Sequence, residues 1–344
     1  MKQTTTRIIS LDILRIVASM SVVTWHVAMP LWREYNIGSN VWLLATLIRI
    51  LSRWISAVYV MISGSFFLNN ERPLPIKTLY SKYIYNTLKK RLLWSIISLL
   101  VDWKNMKSFP PSKVIIERLI NGHGYHWFLS LILILYVITP ILRMISSSQQ
   151  ILLYALSLSG VSCFVVEPLS KHPMRQLVSP TLRFFPRISS WIGLYLSGFY
   201  IRHHVIPKKI RLLSYAVGLL SVIRAYYYTV KESIQNQVLK WTYFEDSSFL
   251  VIASGIAIFM FFNQLHLQFT DTTAKRILKV SKATFGVYLL HPFLLRKITQ
   301  IRHIMTRTIC PVLVALPICS ILLFTICFLV AFVLGDVPVV SILF

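Results

Sequence analysis

The chain has 344 residues; 36 Lys and Arg against 11 Asp and Glu give a net charge of +25, yet 56% of residues are apolar and only 14% are charged. A soluble domain carries roughly a quarter charged residues, and a nucleic-acid binder gathers its basic residues on one face or in a tail, whereas here they are strung between apolar runs in a chain of mean hydropathy +0.65. These figures exclude a disordered chain, a coiled coil, a disulfide-stapled secreted domain and a nucleic-acid partner. They indicate an all-α, polytopic membrane bundle whose apolar runs of about 20 residues can each cross ~30 Å of hydrocarbon as helix.

In chain order, runs bounded by charge or by Pro and Gly predict about ten transmembrane helices, at 8–29, 42–68, 88–103, 126–145, 150–167, 188–202, 211–228, 248–265, 280–296 and 311–334. No small-residue cleavage site follows the first run, so it reads as a retained helix rather than a signal peptide. Lys and Arg divide almost evenly between alternate loops, and the total does not set the orientation. Their crowding at helix ends does lean one way: Lys82, Lys89, Lys90 and Arg91, then Lys208, Lys209 and Arg211, then Lys275, Arg276, Lys279 and Lys282 fall on one side, and most acidic residues on the other. Both termini are therefore expected in the cytoplasm. Cys163, Cys310, Cys319 and Cys327 lie in or beside apolar segments with no C-x-x-C pattern and read as packing residues. With no internal repeat and no separate soluble segment, residues 1–344 read as one transmembrane domain.

The first helix carries the sharpest signal. At about 100° per residue, Asp12, Arg15, Ser19 and His26 fall within a sector of roughly 60° on an otherwise apolar cylinder, with Arg15 and His26 roughly 16 Å apart along the axis. An intramembrane Arg or His is costly against lipid and faces a bundle interior or a wet cavity. One reading is an Asp12–Arg15 pair at the inner interface with His26 as an interfacial residue beside Trp25. The other is a channel with an anion-meeting Arg15 at one end and, at the other, His26 as base or nucleophile.

The stretch "LDILRIVASMSVVTWH" resembles the opening of the acyltransferase-3 family of bacterial membrane acyltransferases, marked by an Arg and a His separated by ten residues, as Arg15 and His26 are. Further segments resemble the family in order: "SRWISAVYVMISGSFFL" (52–68), "LKKRLLW" (88–94), "HWFLSLILILYVITPIL" (126–142) and "SKATFGVYLLHPFLL" (281–295). Two positions depart from it: Ala57 where a proline is frequent, and Trp94 where a third basic residue is frequent. The resemblance implies a ten-helix plan in the bacterial inner (cytoplasmic) membrane. It also implies transfer of an acetyl group from acetyl-CoA to a hydroxyl of an envelope glycan; the residues themselves give no case for a metal. Short family members point first to a lipid-linked O-antigen sugar of lipopolysaccharide.

On that footing His26, supported by Arg15 and Asp12, is the catalytic candidate, either as general base or as transient acetyl carrier. Lys89, Lys90 and Arg91, with Arg15 deeper, are candidates for the CoA phosphates; a basic helix end is also what topology alone would place there. For the acceptor the candidates are Arg53, His126, Trp127, Glu245, Asp246 and His291. Each has a plainer reading: interfacial snorkelling for Arg53, anchoring for His126 and Trp127, loop solvation for Glu245 and Asp246, and for His291 a bond to the carbonyl freed by Pro292. No H-E-x-x-H, Cys/His cluster or Gly-rich phosphate loop appears. A transporter or flippase for a lipid-linked sugar is the alternative from another class, since helices with a polar stripe also make a conduit.

Overall fold

In the computed structural model, residues 9–104, 111–121, 127–171, 180–308 and 311–335 are described, and among them every regular element is helical. The chain runs α1 (Ile9–Glu34), α2 (Asn40–Leu51), α3 (Ile55–Phe67), α4 (Ile76–Thr78), α5 (Tyr85–Lys104), α6 (Ser112–Asn121), α7 (Trp127–Ser147), α8 (Gln149–Val161), α9 (Glu167–Lys171), α10 (Pro180–His203), α11 (Lys208–Asn236), α12 (Phe249–Gln264), α13 (Asp271–Thr308) and α14 (Val312–Gly335). π-helical turns at Leu79–Ile84 and Ser162–Val166 join α4 to α5 and α8 to α9.

Each of the ten predicted segments coincides with helix over its described residues, and among the described residues six spans are long and apolar enough to cross a membrane: Ile9–Glu34, Asn40–Phe67, Trp127–Ser147, Gln149–Leu169, Thr242–Gln264 and Val312–Gly335. About ten crossings are expected from the sequence; by length and composition six helical spans among the described residues qualify. α5, α10, α11 and α13 carry charged residues along their length, which lowers their hydropathy. All four also outrun their predicted stretches. α13 covers Asp271–Thr308 where 280–296 is predicted, because Lys, Arg and Thr flanks continue a helix at small propensity cost and Asp271 complements its N-terminal dipole. α11 runs from the residue after Pro207 to Asn236 and stops at Gln237, whose φ of 50° is left-handed.

The second predicted span is two helices. α1 ends in a tight turn where Gly38 takes φ 88°, and Ser39 caps α2 by accepting from the Trp42 N–H at 3.3 Å. α2 closes at Ser52, whose N–H returns to the Ile48 carbonyl at 3.0 Å, and α3 starts three residues later at Ile55. The break sets Arg53 in a turn instead of on a continuous helix face.

α1 is the central helix, packed against α2, α3, α12, α13 and α14. Its first half (Leu11, Leu14, Ala18) belongs to a core shared with α3, α7, α8, α10 and α12. Its second half (Val23, Val27, Ala28, Leu31, Trp32) belongs to a core shared with α2, α11, α12, α13 and α14. α3 and α10 approach backbone to backbone: a Cβ on Gly64 would overlap the Tyr195 carbonyl, and one on Gly198 the Met61 carbonyl. Ala57, the family's frequent proline position, packs against Gly255 of α12. Cys163, Cys319 and Cys327 are buried among packed helices, and Cys310 lies outside the described residues. α7 and α14 leave Ile134, Ile141, Leu313 and Val333 exposed on outer faces, as lipid-facing helices do.

Candidate active site

The polar stripe of α1 turns inward and divides. Asp12, 4% exposed, binds the Arg15 guanidinium at 3.4 Å and accepts from the Ser281 hydroxyl of α13 at 2.8 Å. Ser19 donates to the Thr284 carbonyl of the same helix at 3.4 Å. These two fasten α1 to α13, while Arg15 and His26 reach a cavity of about 500 Å³. Other walls come from the turn before α3 and α3 itself (Arg53, Ser56, Tyr59), from α7 (Trp127, Tyr136), from α13 (Lys282, Tyr288) and from Asp246. Along α1 the cavity extends from Arg15 to Met29, ~21 Å of helix axis.

At one end Arg15 is held from both sides. Its guanidinium lies 5.2 Å from the Phe66 ring centroid, and its carbonyl accepts from the Tyr59 hydroxyl at 3.1 Å. Toward the other end stands His26, its ring 4.6 Å from Trp25, edge to face, and 4.8 Å from the ring of His291. His291 is fully buried, and its Nδ1 lies 3.1 Å from the Val287 carbonyl. A carbonyl only accepts, so the Nδ1 that faces Val287 carries a proton. Pro292 frees the carbonyl of Tyr288, four residues back; His291 serves Val287 instead and stands behind His26 as a ring neighbour.

Beside Trp25 the turn between α2 and α3 is locked to the segment before α12. Arg53 Nε donates to the Phe244 carbonyl at 2.7 Å, Arg53 Nη2 meets Asp246 Oδ2 at 2.6 Å, and Ser56 donates to Asp246 Oδ1 at 3.0 Å. Of the predicted acidic pair, Asp246 is therefore in the cavity wall. Glu245 is not among the wall residues and lends its carbonyl to the Ser248 N–H at 2.9 Å. Trp127 opens α7 at the wall, 6.1 Å from Trp191; His126 lies outside the described residues.

Lys89, Lys90 and Arg91 flank the cavity from α5 and, among the described residues, are not part of its wall. Lys90 lies 5.0 Å over the ring of Phe285, a wall residue. Arg91 donates through Nε to Ser130 at 2.9 Å. Trp94, at the family's third basic position, is buried 5.3 Å from Phe293 and serves packing.

Sequence reasoning passed over Tyr59, Tyr136, Tyr288, Ser56, Ser63 and Lys282, all in the wall. The signal existed: 56, 59 and 63 on α3, with 53 just before it, and 281, 284, 288 and 291 on α13, repeat the helical spacing of polar residues found on α1. Hydroxyl-bearing aromatics in apolar runs simply read as core. Arg49, one turn before Arg53 in sequence, does not snorkel to an interface: it is 2% exposed, with its guanidinium 4.2 Å from Trp32 and 4.5 Å from Trp25.

The model of the acyltransferase domain, the acyltransferase-3 family, matches residues 8–335, nearly the whole chain. The chain belongs to the acyltransferase-3 family. No curated protein and no solved structure gives a match. Membership supplies the function class: the chain is a multi-pass membrane acyltransferase. In this acyltransferase, Arg15, His26, Arg53, Trp127 and Asp246 come together at one cavity. Chemically the cavity offers an imidazole beside a second imidazole, a cation at the far end, and aromatic walls with hydroxyl and carboxylate groups able to orient a polar acceptor.

Proposed function

We propose that this acyltransferase moves an acetyl group from acetyl-CoA to a hydroxyl of a cell-surface glycan, first among them a lipid-linked O-antigen sugar, in the bacterial inner membrane with its N-terminus cytoplasmic. The observation that carries the reading is the single cavity running along α1 from Arg15 to His26 and Met29. It lets a donor made on one side of the membrane and an acceptor on the other meet at one imidazole. The phosphates of the donor approach the Arg15 end, near which Lys89, Lys90 and Arg91 of α5 add positive potential. The sugar approaches the Trp25, Trp127 and Arg53–Asp246 end. There aromatic rings pack on its C–H faces, and Asp246 and Ser56 accept from or donate to its hydroxyls.

In the reaction His26, neutral, takes the proton of the acceptor hydroxyl as that oxygen attacks the thioester carbonyl carbon. The tetrahedral intermediate collapses, the C–S bond breaks, and the leaving thiolate takes the proton from the His26 imidazolium, leaving an O-acetyl ester and free CoA. His291, its Nδ1 committed to the Val287 carbonyl, stands behind that ring.

The test is NMR of surface glycan together with transfer of label from radiolabelled acetyl-CoA in membranes. The intact gene adds an acetyl signal at one hydroxyl, and His26→Ala lowers label transfer at least ~100-fold while the protein remains folded. Near-normal transfer by His26→Ala, or unaltered glycan, removes the reading. Label retained on the protein in the absence of acceptor would instead make His26 an acetyl carrier.

A further inference from the structure

Three cations reach the cavity wall: Arg15, Arg53 and Lys282. Two have a carboxylate partner, Arg15 with Asp12 and Arg53 with Asp246. Lys282 has no such partner among the described residues; it is an exposed residue and one of those lining the cavity. It also has a defined place. Ser281, its chain neighbour, donates to Asp12, so Lys282 stands on the turn of α13 fastened to the Arg15 end of α1. The two ends of the cavity therefore differ in kind. At the Trp25 end the cation is matched by Asp246; at the Arg15 end one positive charge is left over. An uncompensated ammonium lining a cavity walled by apolar helices draws an anion into it more strongly than the same charge on an open surface.

We infer that Lys282, on the turn tied through Ser281 and Asp12 to Arg15, forms a diphosphate subsite at this end of the cavity, and that its ligand is the diphosphate of the acyl-CoA donor. The inference rests on the acetyl-CoA reading above. It goes beyond that reading by giving the phosphate contact inside the cavity to a lysine of α13, whereas Lys90 is engaged with Phe285 and Arg91 with Ser130 outside the wall. The spacing is suitable: Arg15 and His26 are ~16 Å apart along α1. The long pantetheine arm that separates a CoA thioester from its diphosphate would lie along Val22, Leu129 and Ile132, all wall residues. A diphosphate is also what a prenyl-linked sugar carries, so the acceptor is the competing source of the same chemistry.

The experiment uses full-length protein in membranes, with Lys282→Gln and Lys282→Arg, and follows thiol release and transfer from two donors, acetyl-CoA and the phosphate-free S-acetylpantetheine. Loss of one ammonium–phosphate contact raises the KM for acetyl-CoA about tenfold in Lys282→Gln and flattens its dependence on salt. The KM for S-acetylpantetheine moves less than twofold, and Lys282→Arg keeps most of the acetyl-CoA affinity. An unchanged KM for acetyl-CoA overturns the subsite, and so does an equal rise for both donors, which marks a structural lysine. If instead the KM rises only for a prenyl-diphosphate-linked glycan and not for the same glycan freed of its lipid, the subsite reads the acceptor and the donor assignment falls. Wild-type membranes that consume neither thioester bring down the donor reading itself, and the subsite with it.

Discussion

Arg49 and Arg53, one helical turn apart in sequence, meet the cost of leaving water in different ways. Arg49 is enclosed by Trp25, Trp32 and Phe244, with its guanidinium 4.5, 4.2 and 5.5 Å from their centroids; such faces return about 0.5–2 kcal/mol each. Arg53, on the far side of the helix break, lies 4.9 Å from Trp25 and takes a carboxylate and a carbonyl. Because both Arg53 and Asp246 retain about a fifth of their side-chain exposure, the pair is worth less than a fully buried one. Removing one member still leaves the other half-buried and unmatched. Arg53→Ala and Asp246→Ala should each cost about 1–3 kcal/mol, and the double variant about 1 kcal/mol or more less than the two costs added. Thermal unfolding of the purified protein in detergent measures this; strictly additive costs would show that the pair does not fasten the turn.

α3 and α10 touch backbone to backbone because Gly64 and Gly198 give up their side chains at the same crossing. Close approach through small residues is how membrane helices associate when lipid is as apolar as the core. The contact also sets the site, since α3 brings Ser56 and Tyr59 to the cavity and α10 backs it with the fully buried Tyr195, bonded to Thr139 of α7 at 3.0 Å. Gly198→Ala should lower stability by about 1–3 kcal/mol, since the Met61 carbonyl in its way belongs to a helix backbone that cannot rotate aside. Gly160→Ala, at a helical glycine with open space around it, should hold stability or raise it by up to about 1 kcal/mol. Equal melting temperatures for the two variants would refute the crossing as the constraint.

Across the whole molecule, α1 belongs to both apolar cores, and its polar face meets a cavity reaching toward both ends of the helix. The proposed chemistry depends on which end faces the cytoplasm. With the N-terminus inside, the turn after α1 lies outside and the α10–α11 turn lies inside. An impermeant maleimide should then label Asn36→Cys on intact cells and label Val205→Cys, at a position 96% exposed, only after the membrane is opened. The reverse pattern would turn the molecule over and put the Arg15 end, with its proposed donor entry, on the wrong side.

Helix class, the membrane and the importance of α1 were legible in the sequence because each rests on local quantities: run length, hydropathy and the angle between residues on one helix. Arg15 and His26 stood out because an isolated charge or imidazole in an apolar run has few reasons to be there. The break at Ser52–Trp54 was not legible, since no proline or glycine marks it and its stabilising bonds come from Phe244 and Asp246, some 190 positions away. Nor was the division of the stripe, which follows from Ser281 and Thr284 of α13 claiming Asp12 and Ser19. The same holds for charge balance. In sequence, Lys282 is one more basic residue at a helix end; only the packed bundle brings it to the cavity wall, where Arg15 and Arg53 are paired and, among the described residues, no carboxylate lies within ion-pair distance of it. Periodicity fixes which residues share a face of one helix, but what that face meets depends on contacts between helices far apart in the chain.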